Sequence, residues 1–129
     1  MAEQLIPEDV RAFLLQHIES IGQLEALLLL RAEPTCVWTA EMMAKRLYIP
    51  VQEAAVVLER LAADRFVTLS SGVPDHYKYH PASDALATMV DRVADLYAHY
   101  LIPVTNLIHA KPRSRVQEFA DAFKLRKGD

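Results

Sequence analysis

Apolar residues recur at helical spacing along most of this chain and alternate only in two short stretches. Behind Pro7, Glu8 and Asp9, Val10, Phe13, Leu14 and Ile18 share one helical face. Proline is tolerated in a first turn and acids there oppose the helix dipole, so a first helix is expected over about 7–19. Ser20-Ile-Gly-Gln23 has the spacing of a capping box, which opens a second helix that Pro34 stops near Ala32. From Leu24 to Leu30 that helix is apolar almost all round, the mark of burial on more than one side. Thr39 is a good N-cap for Ala40 to Leu47, and a short connection, Tyr48-Ile49, leads to Pro50 at the first position of the next helix, Pro50 to Arg65. Ala54, Val57, Leu58 and Leu61 form its inward stripe. Phe66 to Leu69 and His76 to His80 alternate as strands around the turn formers Ser70 to Asp75.

Three helices followed by a hairpin, over residues 23–80, is the order of a winged helix-turn-helix domain, mainly α with a small β-hairpin. After Pro81 comes the longest helical pattern, from Ser83-Asp84 to about Ala110. Leu86, Val93, Tyr100 and Leu107 fall seven apart, and Met89, Val90, Leu96, Tyr97 and Val104 fill the adjoining positions. A stripe on roughly 42 Å of helix is more than a wing-sized domain covers alone, so a partner helix is expected on it. The seam residues of a homodimer would be Leu86, Met89, Val93, Leu96, Tyr97, Tyr100, Val104 and Leu107. Pro103 removes one backbone donor and is expected to kink this helix in its final third. Ser114-Arg-Val-Gln117 repeats the capping box ahead of a short last helix and a basic tail. The chain thus divides into a helix plus winged-helix domain, 1–81, and a C-terminal part, 82–129.

Composition removes several function classes. With 129 residues and 52% apolar content the chain can bury a core without metal or disulfide. Cys36 is the single cysteine, which excludes an internal disulfide and a cysteine zinc site and fits a reducing cytoplasm. The longest apolar run is far short of the ~20 residues of a membrane span, and the first residues lack a basic signal region. Histidines 17, 76, 80, 99 and 109 have no metal-binding spacing, since positions four apart on a strand lie ~13 Å apart. Three glycines, none in a phosphate loop, leave nucleotide hydrolysis without its cradle. No nucleophile, base and acid converge, so neither an enzyme nor a cofactor is expected.

Charge bears on the partner. The net charge is −3, and residues 35–80 hold five basic and five acidic side chains, while residues 111–129 hold six basic against three acidic. The basic concentration therefore lies behind the unit that would read DNA.

Thr39-Ala-Glu-Met-Met-Ala-Lys-Arg-Leu47 and Val57-Leu-Glu-Arg-Leu-Ala-Ala-Asp-Arg-Phe-Val67 resemble the second and third helices of bacterial winged-helix regulators of the MarR and PadR type. The long helix after the wing is similar to the dimerisation helix of PadR-like proteins. The resemblance implies a cytoplasmic, homodimeric transcriptional regulator that binds double-stranded DNA, with the third helix in the major groove. Where those families offer Ser, Thr, Arg or Asn to bases, this chain has Gln52, Glu53, Ala55 and Val56. Gln52 suits adenine, Glu53 accepts from cytosine but repels phosphate, and Val56 suits a thymine methyl or a protein. Gln52, Glu53 and Val56 are the base-facing candidates, and Lys45, Arg46, Arg60 and Lys78 the phosphate candidates, with Arg65 beside them. Arg60 and Arg65 could equally pair with Glu59 and Asp64. The same fold with such a helix also fits an interaction module that binds another protein and no DNA.

Overall fold

The computed structural model describes residues 5–110. Helix α1, Glu8–His17, begins behind Pro7 with its two acids in the first turn and buries Val10, Phe13 and Leu14. It ends two residues sooner than expected because Ile18 turns extended, and the chain bends by 108° into α2, Ile21–Ala32. The corner is held by side chains. Ser20 Oγ accepts from the Gln23 amide at 3.1 Å, as the sequence pattern requires. The Gln23 side chain, however, accepts from the Glu19 amide at 2.9 Å instead of that of Ser20, and also donates to the His17 carbonyl at 2.9 Å. Gln23 is buried, so these bonds satisfy two backbone groups at the end of α1 that solvent would otherwise have to reach.

Helix α2 is the central element and touches α3, α4 and the hairpin. Leu24, Ala26, Leu27 and Leu30 are fully buried along it, in keeping with its apolar circumference. Helix α3, Ala40–Leu47, is capped by Thr39, whose hydroxyl accepts from the Met42 amide at 3.2 Å. Helix α4, Val51–Ala63, starts one residue later than expected, with Pro50 in the capping position and no side-chain cap. Strand β1, Val67–Ser70, pairs antiparallel with β2, His76–Tyr79, with Leu69 opposite Tyr77. Trp38 adds a bridge that the sequence did not foretell: its amide and carbonyl bond the Tyr77 carbonyl and amide at 2.7 and 2.8 Å. The wing is therefore tied at its root to the segment leading into α3.

The expected single C-terminal helix is two. Helix α5, Asp84–His99, is capped by Ser83, which accepts from the Leu86 amide at 3.1 Å, and α6 runs Leu101–His109. Between them Tyr100 leaves helical geometry, with φ −131° and ψ 56°. Pro103 accounts for the break: it has no N–H for the His99 carbonyl, and its ring crowds the preceding turn. A kink becomes a full interruption one turn upstream of the proline. Helices α5 and α6 both pack against α1. Val90, Val93, Val104 and Ile108 are buried there with Val10, Phe13 and Leu14 in one continuous core. Arg92 pairs with Asp9 of α1, and Arg31 of α2 with Asp91 at 2.7 Å.

This burial bears on the expected seam. Val93 and Val104 are wholly enclosed by their own chain, and Leu86, Met89, Leu96, Tyr97 and Leu107 are partly buried against the same core. Tyr100 stays exposed at the break, next to Leu101 and Ile102. The expected last helix after Ser114 and the basic tail lie outside the described residues. Among the described residues no single helix is long and apolar enough to cross a membrane.

Candidate nucleic-acid interface

The outward face of α4 follows from its inward one. Ala54, Leu58 and Leu61 are fully buried, so positions half a turn away, Gln52, Val56, Glu59, Arg60 and Ala63, project from the domain, with Glu53 beside them. All six are exposed, and Val56 keeps 65% of its surface. The three base-facing candidates are thus together on the first two turns. Glu59, one turn further on, had not been singled out, although its spacing of seven from Gln52 already put it on this face. Its charge would meet phosphates if α4 lay deep along a groove, so only the beginning of the helix is suited to enter one.

The cations separate into two groups. Lys45 on α3 and Lys78 on β2 are exposed and, among the described residues, have no acidic partner. Arg46 is exposed but held: it donates to Glu33 at 3.2 Å, and its guanidinium carbon lies 5.4 Å from the centre of the Trp38 ring. Arg60, four residues after Val56, is exposed on the outward face, but its charge is engaged. Its guanidinium reaches Glu19 at 3.7 Å and Asp64 at 3.5 Å, beside His17, whose ring nitrogen is 3.4 Å from the same Asp64 carboxylate. Of the alternatives open for Arg60, the acidic pairing is the one formed, with Asp64 as expected and with Glu19 of the corner in place of Glu59. Arg65 is exposed at a left-handed position, φ 67°.

Tyr48 escaped the sequence reading. It ends α3 in left-handed geometry, φ 57° and ψ 46°, with 94% of its surface in solvent. For a residue with a Cβ that conformation costs about 1 kcal/mol, which no packing of its ring recovers here. The tight connection of two residues between the helices was the available signal, because such a turn commonly needs a positive φ. With Val51 at the start of α4 and Met42 on α3, Tyr48 gives the reading end a partly apolar surface. The wing tip adds a fully exposed Val73 and no cation, and its one acid, Asp75, accepts from the Gly72 amide at 2.9 Å.

Beneath this surface the wing strand is anchored by aromatic side chains. The Tyr77 and Tyr79 phenols are pushed above their ordinary values chiefly by burial, reinforced by Glu59 and Asp75 at Tyr77 and by Asp91 at Tyr79. They stay neutral and act as packing groups. Among the described residues no cluster of three or more His, Cys, Asp or Glu could hold a metal ion. Cys36 is half-buried, with its thiol 3.8 Å from the Val37 carbonyl.

No protein-family model matches the sequence, and no curated protein is similar to it. Two solved structures are similar in fold: wild-type MarR from E. coli in its apo form, and a cysteine-to-serine mutant of it. Each has a TM-score of 0.52 and 14% sequence identity, and the match covers 98% of this chain and 90% of the other. At that identity the likeness carries architecture, and it extends across the helices on both sides of the wing, well beyond residues 23–80. The chain has the winged-helix fold of MarR.

Proposed function

We propose that this chain is a winged-helix transcriptional regulator that binds duplex DNA as a homodimer and performs no chemistry of its own. The observation that carries the reading is the exposed start of α4. Gln52 and Val56 lie one turn apart on its outward face, and Lys45 on α3 and Lys78 on β2 are exposed with no acidic partner among the described residues. Gln52 would bond an adenine edge and Glu53 a cytosine amino group, while Lys45, Lys78 and the partly committed Arg46 meet phosphates. Arg60 has no part in it. Two or three phosphate contacts per chain give weak binding, and two chains on one duplex raise it.

The second copy would dock at the α5–α6 break, where Tyr100, Leu101 and Ile102 are exposed in succession, flanked by the half-buried Tyr97 and Leu107. This narrows the expected seam to the part its own chain leaves uncovered. Such a regulator would work in the cytoplasm, where its DNA is.

Tyr48, Val51 and Val56 favour a second reading, a domain that uses the same end to bind a protein and no DNA. Mobility shift with genomic fragments at low and physiological salt separates the two. A salt-sensitive shift is the expected outcome, and no shift at either salt leaves the protein-binding reading.

A further inference from the structure

Resting on the DNA reading, we infer that the sequences this chain selects are marked by thymine methyl groups, read by Val56 one helical turn after Gln52. The first two turns of α4 present no cation to bases, so the commonest specific contact, a bidentate Arg or Lys on guanine, is unavailable there. What they do present is a carboxamide and, about 6 Å along the axis, a branched apolar side chain with 65% of its surface in solvent. The carboxamide matches adenine N6 and N7. In the major groove the apolar feature that distinguishes one base from the others is the thymine 5-methyl group, and Val56 has no hydrogen-bonding atom with which to prefer anything else. The neighbouring side chains sharpen this choice. Glu53, beside both, accepts from a cytosine amino group but would repel guanine O6 and N7, both acceptors, and one turn on Glu59 adds a second carboxylate next to Arg60, whose charge is held by Glu19 and Asp64. Adenine followed within two or three base pairs by thymine is the pattern this face fits.

Among the described residues, the packing of α4 on the core leaves Val56 largely uncovered. Its inward neighbours Ala54 and Leu58 already fill the contact with the core, and an exposed β-branched residue is a weaker helix former than alanine.

The test uses the full chain and duplexes enriched by repeated binding from a random pool, resynthesised with deoxyuridine for thymidine, which deletes the methyl and leaves every hydrogen bond. Wild-type protein is expected to lose about fourfold in affinity per methyl contact, the change that burying one methyl group corresponds to. Val56→Ala should bind thymine and uracil duplexes alike, near the wild-type affinity for uracil. Equal wild-type affinity for both duplexes overturns the inference while leaving DNA binding intact. So does a uracil penalty that survives in Val56→Ala, because the methyl is then read elsewhere. Absence of any shift with the enriched pool overturns the DNA reading itself, and this inference with it.

Discussion

Among the described residues, two of the stretches that leave apolar side chains in solvent differ in what surrounds them. At the reading end, Tyr48, Val51 and Val56 alternate with Gln52, Glu53 and Lys45. At the α5–α6 break, Tyr100, Leu101 and Ile102 are consecutive, and residues 100–108 contain no charged side chain. A surface that mixes single apolar groups with donors, acceptors and charge suits a partner that is itself patterned and polar, such as a groove of bases between phosphates. A continuous uncharged one suits another protein surface of the same kind, which in the proposed homodimer a second copy of the chain would supply. Apolar exposure alone does not separate the partners; the neighbouring side chains do.

The largest effect tests whether these stretches are surface at all. Leu58→Ala, one helical position inward from the reading face and fully buried, should cost about 3 kcal/mol in urea unfolding. Val56→Ala and Ile102→Ala should each stay within about 0.5 kcal/mol. Comparable losses at all three would mean that the exposed residues belong to the core. Next, Ile102→Glu should weaken self-association by about 2 kcal/mol, roughly thirtyfold, in sedimentation equilibrium, with monomer stability kept. If the reading end mediated the dimer, Val56→Glu would have that effect instead.

Tyr48→Gly removes a Cβ from a left-handed position and should raise stability by about 1 kcal/mol. A simultaneous fall in DNA affinity would put the tyrosine ring at the interface; unchanged affinity would confine it to the turn. Lys45→Ala should lower the slope of log affinity against log salt by about 1 while leaving the sedimentation profile alone. Arg60→Ala, made in parallel, should not change that slope, since its charge is spent on Glu19 and Asp64.

The smallest effect lies on the acid limb of stability, far from the reading end. The hydrogen bond from Arg92 holds the Asp9 carboxyl below its ordinary value of 3.8, against a smaller opposing effect of desolvation. A depressed folded value stabilises above the unfolded one, and the gain is lost as pH falls through the lower value. Arg92→Gln should flatten that part of a stability profile measured between pH 5 and about 2, and a profile identical to wild type would deny the pair any role.

What the sequence revealed followed from local chemistry. Ser20, Thr39 and Ser83 cap the helices their positions suggested, and the alternation of residues 66–69 and 76–80 became the hairpin. Gln52, Glu53 and Val56 also emerged together, because one inward stripe fixes the opposite face. Long-range pairing was not legible. Nothing near Arg60 in sequence indicates Glu19, 41 positions away, and nothing near Trp38 names Tyr77. The seam shows a related limit. Seven-residue spacing says that a stripe is buried, not whose atoms bury it, and α1 takes Val93 and Val104 into the chain's own core.

The two bonds between Trp38 and Tyr77 also have a mechanical side. They add a bridge from the entry to α3 at the root of the two-stranded wing, so hairpin and helix-turn-helix are joined through backbone hydrogen bonds as well as side-chain packing. In the proposed complex, a wing fastened in this way would leave the spacing of two half-sites to be set where the two chains meet.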